Sequence, residues 1–384
     1  MTKVLISDRT HPVLEERLRQ AGFQISVEPD HDYNSLLCAV QGYDALVVRS
    51  KVNIDRNFID SLTPLPLSLG RGEWNAETNY SPLRSERGKG VRLPGVRLRC
   101  IGRVGAGMET IDVNYAESHG IRCLNSPEGN RDAVGEHTVG LLLALLNNIA
   151  RADAQVRQGL WLREANRGWE LGNLTVGIIG FGNMGQSFAR RLTGFGCKII
   201  YYDKANIPLP SPQGEGLEVR PVSLAELQQR ADVVSFHVPL TEETRHYLND
   251  EFIARMAKSF FLLNTSRGAV VDTEALVRGL QSGKVRGAGL DVLENENMQS
   301  DSLSTLNSPL STLNCVFTPH VAGWTVESKY KLAAVLADKI IKTLKSSLTP
   351  NPSPSGEGSR MTGSLQLSTP LSPGRGVGGE ANHP

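Results

Sequence analysis

The chain has 384 residues and a net charge of +1, and hydrophobic residues make up 40% of it. This balance excludes a strong electrostatic attraction to nucleic acid or to an anionic membrane. Five scattered cysteines without a CxxC pair argue against a disulfide framework and a zinc site, and the N-terminus MTKVLISDRT has no signal-peptide pattern, so we expect a soluble cytoplasmic protein without a metal.

The first part of the chain predicts strands that alternate with helices. The short apolar strand KVLIS is followed by the helical segment HPVLEERLRQAG and by the buried strand YDALVVRS. The segments RCIGRVGAG and GIRCLNSP continue this alternation. Such a pattern indicates an α/β fold with a mostly parallel sheet.

Residues 175–320 repeat the alternation more clearly. The predicted strands are TVGIIG, KIIYYD, DVVSFHV, FFLLNT and GAGLDV. The helices predicted between them are GQSFARRLTGF, SLAELQQR, NDEFIARM and TEALVRGLQSG. The segment TVESKYKLAAVLADKIIKTLKS then predicts a long amphipathic helix.

Three segments interrupt this pattern: residues 63–95, residues 208–221 and the tail 346–384. They are rich in Pro and Gly and share a loose P-x-P-S-x-x-G-E-G theme. Segments with so few apolar residues cannot bury enough apolar surface to offset the conformational entropy lost on ordering, so we expect them to be disordered. We interpret them as repeat sequence inserted into surface loops; a docking segment is the alternative.

A glycine motif indicates a dinucleotide-binding turn. Gly180, Gly182 and Gly185 fit G-x-G-x-x-G between the strand TVGIIG and a predicted helix. Asp203 follows about 20 residues later, at the end of the next strand. The helix N-terminus would bind the pyrophosphate, and Asp203 would accept hydrogen bonds from the ribose hydroxyls. The aspartate favours NAD over NADP, although Lys204 could soften that preference.

Groups suited to alcohol oxidation follow three successive strands. Arg267 follows FFLLNT, Asp291, Glu294 and Glu296 follow GAGL, and His320 follows CVFTP. Because the carboxyl ends of parallel strands meet at one edge, these groups should converge beside the cofactor. A histidine can move a proton near neutral pH, a carboxylate can tune it, and an arginine can clamp a substrate carboxylate.

Two other histidines are given different roles. His237, in SFHVPL, also ends a strand, and we interpret it as lining the cofactor cleft. His137, in GEHTVG, lies early in a helix and is interpreted as structural.

The sequence resembles the D-2-hydroxyacid dehydrogenase family between residues 3 and 345, apart from the insertions. The segments that carry the resemblance are IGRVGAGMETID, NSPEGNRDAVGEHTVGLLLALLNNI, TVGIIGFGNMG, NTSRGAVVDTEAL, GAGLDVLENE and TPHVAGWT. Within the family, it is most similar to short 3-phosphoglycerate dehydrogenases without a C-terminal regulatory domain. The sequence departs from the family pattern at Asn297, in residues 298–311, at Asn148 and at Glu109.

The resemblance implies two Rossmann-like domains with parallel sheets and a cleft between them. Residues 1–124 and 322–345 would form the substrate domain, and residues 125–321 the NAD-binding domain. A homodimer would form mainly through the segment GEHTVGLLLALLNNIARADAQVRQG.

The resemblance also implies roles for individual residues. Arg267, Glu296 and His320 would be catalytic, with Glu296 rather than Glu294 paired to the histidine, and the amides of Val104 and Gly105 would bind the substrate carboxylate. Arg49 and Ser50 would face the substrate. The implied cofactor contacts are Gly180, Gly182, Asn183, Met184, Gly185, Asp203, His237, Val238, Thr265, Ser266, Arg267, Asp291, His320 and Gly323.

Three functions stay open. The first is NAD-dependent oxidation of 3-phosphoglycerate, which serves serine biosynthesis. The second is reduction of hydroxypyruvate, glyoxylate or another 2-keto acid, which differs only in the side-chain pocket. A substrate phosphate would need partners such as Arg49, Lys51 or Arg131. The third is a corepressor-like protein that senses NAD by binding alone.

Overall fold

Two parallel β-sheets organise the computed structural model, which describes residues 1–62, 97–205, 219–294, 296, 310 and 314–346. The first sheet has the order β2-β1-β3-β4-β5. Its strands are β1 (Lys3–Ile6), β2 (Gln24–Val27), β3 (Ala45–Val48), β4 (Cys100–Arg103) and β5 (Arg122–Leu124). Its connecting helices are α1 (Val13–Gln20), α2 (Tyr33–Ala39), α3 (Arg56–Asp60) and α4 (Val113–Ser118).

The second sheet has the order β12-β11-β10-β9-β6-β7-β8. Its strands are β6 (Thr175–Ile179), β7 (Lys198–Tyr202), β8 (Val219–Pro221), β9 (Val233–Phe236), β10 (Phe260–Asn264), β11 (Val285–Leu290) and β12 (Cys315–Phe317). The later helices are α5 (Arg131–Leu146), α6 (Ile149–Arg157), α7 (Asn183–Leu192), α8 (Leu224–Arg230), α9 (Asp250–Arg255), α10 (Thr273–Gln281) and α11 (Val326–Ser346). The strand order reverses between β6 and β9, and ligands of doubly wound sheets bind at such a point.

Both faces of each sheet are covered, which explains the apolar runs of the strands. In β1, Val4 and Ile6 join one core cluster and Leu5 joins the other. Successive side chains of a strand point to opposite faces of the sheet, so one strand contributes side chains to two core clusters.

Helix α11 returns the chain to the first sheet. Leu336 and Ile340 lie in the same core cluster as Val4 and Ile6. A Cβ atom on Gly102 of β4 would lie 3.0 Å from the Ile340 side chain, so the glycine allows the helix to pack close to the sheet.

Helix α5 instead packs on the second sheet. A Cβ atom on Gly287 would lie 2.9 Å from the Leu145 side chain, and one on Gly289 would lie 3.4 Å from Leu141. These leucines are four residues apart and share one helix face with His137, which lies a further turn toward the carboxyl end of β11.

Of the described helices, none alone is long and apolar enough to cross a bilayer; only the pair α5–α6, bent by 59°, reaches that length and composition.

The predicted α/β class with two parallel sheets is confirmed. One prediction is wrong: residues 219–221, assigned to the second insertion, form β8, which pairs in parallel with β7. β8 is the edge strand of the described sheet, and it tolerates Pro221 because one side of its backbone has no partner strand among the described residues. The short strand β2 was not predicted. The insertion 63–95, residues 208–218 and the tail from 347 lie outside the described residues, and the domain boundaries stay a prediction.

Candidate active site

The glycine motif forms a tight turn between β6 and α7. Gly180 has a φ of +89°, and a side chain there would collide with the carbonyl of His237. A side chain on Gly185 would collide with the Gly180 carbonyl. By contrast, the space beside Gly182 is open, and this residue precedes α7 without a side-chain cap. The turn therefore leaves a cradle at a helix N-terminus, next to Asn183 and Met184, that suits a pyrophosphate.

Asp203 lies at the edge of this cradle. One of its carboxylate oxygens accepts from the Phe181 amide at 2.6 Å, and the other accepts from the Ala205 amide at 2.8 Å. Lys204 pairs with Glu243 at 2.6 Å. Because two carboxylates accompany one ammonium group here, the edge suits ribose hydroxyls better than a 2′-phosphate.

His237 and Val238 border the same turn. A Cβ atom on Gly180 would lie 2.8 Å from the Val238 side chain. The His237 Nε2 atom lies 2.9 Å from the Ser235 hydroxyl, and burial lowers the pKa of His237 to about 3. This imidazole is therefore neutral near pH 7 and unsuited to carry a proton.

His320 pairs with Glu296, the partner that the resemblance implies. Its Nδ1 atom lies 2.8 Å from a Glu296 oxygen, and its side chain is 49% exposed. The hydrogen bond to Glu296 raises the pKa of His320 above its usual value, although burial and the charge of Arg267 oppose the shift. Because Glu296 accepts from Nδ1–H, the Nε2 atom of the neutral ring is free to take a proton.

The turn that carries His320 wraps around Asp291. The Asp291 side chain is 1% exposed and accepts hydrogen bonds from the Val321 and Ala322 amides, both at 2.9 Å, and from the Thr318 hydroxyl at 2.6 Å. The His320 amide donates to the Asp291 carbonyl at 2.8 Å. These bonds hold His320 at a φ of +55°, a left-handed conformation that costs about 1–3 kcal/mol in a non-glycine residue.

Arg267 contacts the loop that follows β4. Its Nε atom donates to Glu109 at 2.6 Å, and its Nη1 atom donates to the Ser266 carbonyl at 2.7 Å. Although burial opposes it, the hydrogen bond from Arg267 holds the pKa of Glu109 below its usual value. A side chain on Gly107 would collide with the Nη2 atom of Arg267, so this glycine lets the loop approach the guanidinium.

The predicted donor role of Val104 is wrong. Its amide donates to the Val48 carbonyl at 2.9 Å, because Val104 continues the pairing of β4 with β3. The loop leaves the sheet only after this residue, and it approaches Arg267 at Gly107. The amides from Gly105 to Gly107 are therefore the candidates for binding a carboxylate.

Arg103 was missed by the sequence analysis. Its guanidinium lies against Gly105, and its buried Nε atom has no hydrogen-bond partner among the described residues. Burial lowers the pKa of Arg103, and the charges of Arg267 and Arg49 lower it further while Glu109 opposes them. The only signal was its position at the end of β4, where a single arginine usually indicates a solvated surface.

The remaining predicted residues surround these groups. The Arg49 guanidinium lies 5.2 Å from the centre of the Trp324 ring, whereas the Ser50 side chain is exposed. The Thr265 hydroxyl lies 3.1 Å from that of Thr138, and Ser266 is buried against Asn264. A Cβ atom on Gly323 would lie 2.5 Å from the Asn130 amide nitrogen.

A second histidine–glutamate pair lies near the first. His246 Nε2 lies 2.5 Å from Glu294, whose other oxygen accepts from the Thr273 hydroxyl and amide. Glu294 thus caps the start of α10 and is not the partner of His320. Within the described part of the chain, no group of three His, Cys, Asp or Glu side chains is arranged to hold a metal ion.

Comparison with known proteins agrees with this geometry. A family model, the NAD-binding domain of D-isomer specific 2-hydroxyacid dehydrogenases, matches residues 139–322. A hydroxypyruvate reductase of Thermotoga maritima is 42% identical over 250 residues, which are 65% of this chain and 79% of that protein. A D-3-phosphoglycerate dehydrogenase of Methanocaldococcus jannaschii is 34% identical over 352 residues, which are 91% of this chain and 59% of that one.

A solved structure shows the same architecture. The D-lactate dehydrogenase of Aquifex aeolicus, complexed with NAD and lactic acid, aligns with a TM-score of 0.65 and 26% identity. The alignment covers 90% of this chain and 95% of the other.

Proposed function

Because the chain belongs to the D-isomer specific 2-hydroxyacid dehydrogenases, we propose that it oxidises 3-phosphoglycerate at C2 and that His320 carries the proton. The enzyme is NAD-dependent, as its family is. The observation that carries the proposal is the His320–Glu296 pair at 2.8 Å, close enough to Arg267 for the guanidinium to affect the imidazole.

The residues of the glycine turn would hold the pyrophosphate, Asp203 the ribose and Asp291 the carboxamide. When bound, the nicotinamide supplies or accepts the hydride. Arg267 and the Gly105–Gly107 amides orient the substrate carboxylate, and Nε2 of His320 takes the proton of the C2 hydroxyl. In the reverse direction, the protonated ring returns that proton, and Arg267 stabilises the negative charge that develops on the oxygen.

The choice of a phosphorylated substrate rests on three guanidinium groups. Beyond the effect of burial, the nearby charges of Arg267 and Arg49 lower the pKa of Arg103, and the Glu109 carboxylate opposes them. A substrate with one carboxylate would leave part of this positive charge unbalanced. A substrate with a phosphate in addition would supply acceptors for the buried Nε atom of Arg103.

Steady-state kinetics with 3-phosphoglycerate, D-glycerate, D-lactate and glyoxylate test the proposed substrate. We expect the highest kcat/KM with 3-phosphoglycerate. Arg103→Met should lower that value roughly 10- to 150-fold, because it removes a charge-assisted hydrogen bond of about 1.5–3 kcal/mol, and should barely change the value for D-glycerate.

Arg99→Met is the matched control, since Arg99 precedes the same strand and donates to the Leu344 carbonyl, at the opposite end from the site. Equal losses with both substrates after Arg103→Met would contradict a phosphate contact.

Reduction of hydroxypyruvate or glyoxylate is the second candidate. The 42% identity with a hydroxypyruvate reductase favours it. The same assays separate the two functions, because a reductase would prefer the unphosphorylated acids. NADH formation from any of these hydroxy acids would also exclude a protein that only senses NAD.

We also propose a homodimer formed through the segment after α5. Helix α6 has no buried residue, and large apolar side chains stay exposed along the segment, with Trp161 76% exposed. These side chains are Ile149, Val156, Leu160, Trp161, Leu162 and Trp169. Burial of such a patch favours association.

Sedimentation equilibrium should give twice the mass of one chain, and Trp161→Glu should give a monomer; a monomeric wild-type protein would contradict the proposal.

A further inference from the structure

A polar contact from α5 reaches the turn that carries His320. His137 Nε2 lies 2.9 Å from the Thr318 hydroxyl and 3.6 Å from an Asp291 oxygen, although residues 137 and 318 are 181 positions apart. Leu141 and Leu145 of the same helix face pack on β11, so α5 fixes the position of His137 relative to the strand ends.

The hydrogen bonds assign the protons in this network. The Thr318 hydroxyl has one hydrogen, and it donates that hydrogen to Asp291 at 2.6 Å. The Asp291 oxygens also accept the Val321 and Ala322 amides, so they act as acceptors throughout. Thr318 can therefore only accept from His137, which requires the proton of His137 to be on Nε2.

We propose that His137 and Thr318 are positioning residues for His320, a proposal that rests on the acid–base role given to His320 above. His137 orients the Thr318 hydroxyl, this hydroxyl holds Asp291, and Asp291 holds the amides of Val321 and Ala322. The turn is thereby kept in the conformation that directs His320 toward Glu296 on one side and the substrate on the other.

The conformation of His320 explains why this support is needed. A φ of +55° is unfavourable for a histidine, so the turn relaxes when its anchors are lost. Relaxation would move the imidazole relative to the reacting oxygen, and a displacement of that kind lowers kcat much more than it weakens substrate binding. His137 therefore acts through Thr318 and Asp291 and touches neither substrate nor cofactor.

Two matched pairs of variants test the proposal. Thr318→Val and His137→Leu remove the hydrogen bonds, whereas Thr318→Ser and His137→Gln retain a hydroxyl and an Nε2–H donor. We expect about a tenfold loss of kcat with nearly unchanged KM in the first two, and recovery of most of kcat in the second two. Glu136→Gln, an exposed neighbour on α5, controls for effects on the helix.

A readout independent of turnover uses ¹⁵N-histidine NMR spectra, with the His137 signal assigned from its loss in His137→Gln. The spectra should show His137 as the Nε2–H tautomer; an Nδ1–H tautomer would overturn the proposal. Melting temperatures show whether each variant is folded. If Thr318→Val does not fold, His137→Leu replaces it in the kinetic test.

The kinetic outcomes separate this inference from the proposed function. A folded Thr318→Val protein with wild-type kcat would overturn the inference, as would an equal loss in Thr318→Ser or Glu136→Gln. Full turnover of His320→Ala would instead remove the acid–base role itself. An inactive His320→Ala beside fully active Thr318→Val and His137→Leu variants would leave the proposed function intact and refute only the positioning role.

Discussion

Replacement of His320 by Ala should lower turnover by about 10²- to 10⁴-fold, the usual contribution of a general acid–base group. NAD binding should stay nearly unchanged, because the glycine turn and Asp203, which would hold the pyrophosphate and the ribose, follow β6 and β7, across the sheet from the turn after β12. Steady-state kinetics give the loss of turnover, and fluorescence titration with NADH gives the affinity.

His246→Ala is the sharpest comparison for this variant. His246 also pairs with a glutamate, at 2.5 Å, and also has a positive φ, of +51°. It lies beside the start of α10 and not in the turn around Asp291, so we expect it to keep most of the wild-type turnover. If His320→Ala were active and His246→Ala inactive, the acid–base role would belong to His246 instead.

Glu296→Gln should shift the pH dependence and lower the maximal rate. The hydrogen bond and charge of Glu296 raise the pKa of His320, so removal of the charge lowers that pKa. Oxidation of the hydroxy acid needs the neutral imidazole, so its acidic limb should move to lower pH. Reduction of the keto acid needs the imidazolium, so its basic limb should move to lower pH as well.

The maximal rate should fall on the order of 10²-fold, since a carboxylate that orients a catalytic histidine can contribute up to about 10⁴-fold and Glu296 is partly exposed. The rates are measured from about pH 5 to pH 9, around the ordinary pKa of histidine. Glu294→Gln is the control, because Glu294 contacts His246 and Thr273. Limbs that do not move in Glu296→Gln would argue against the pairing with His320.

The convergence of Arg267, Asp291, Glu296 and His320 could be predicted from the sequence. Each follows a strand of one parallel sheet, and the carboxyl ends of such strands share an edge. The sequence also distinguishes the turn glycines, since Gly180 needs a left-handed φ and Gly185 needs contact with the turn. These features depend on which residues follow each strand along the chain, and the sequence shows this directly.

The features that were missed depend on contacts between distant segments. No periodicity indicates that His137 reaches Thr318, and its place within an apolar helix favours a structural interpretation. The prediction for Val104 was wrong because the strand continues one residue beyond the apparent end of β4, so the loop begins later. The pairing of His246 with Glu294 depends on how the loop after β11 folds back onto α10, which the residues alone do not specify.

The central claim is that His320, oriented by Glu296, lies beside the reacting carbon. A crystal structure with NAD and oxamate, an unreactive analogue of a 2-keto acid, tests it most directly. The account predicts that His320 Nε2 lies about 3 Å from the oxamate amide oxygen, within hydrogen-bond reach, and that the oxamate carboxylate contacts Arg267. An imidazole directed away from the nicotinamide ring, or oxamate bound without Arg267, would contradict it.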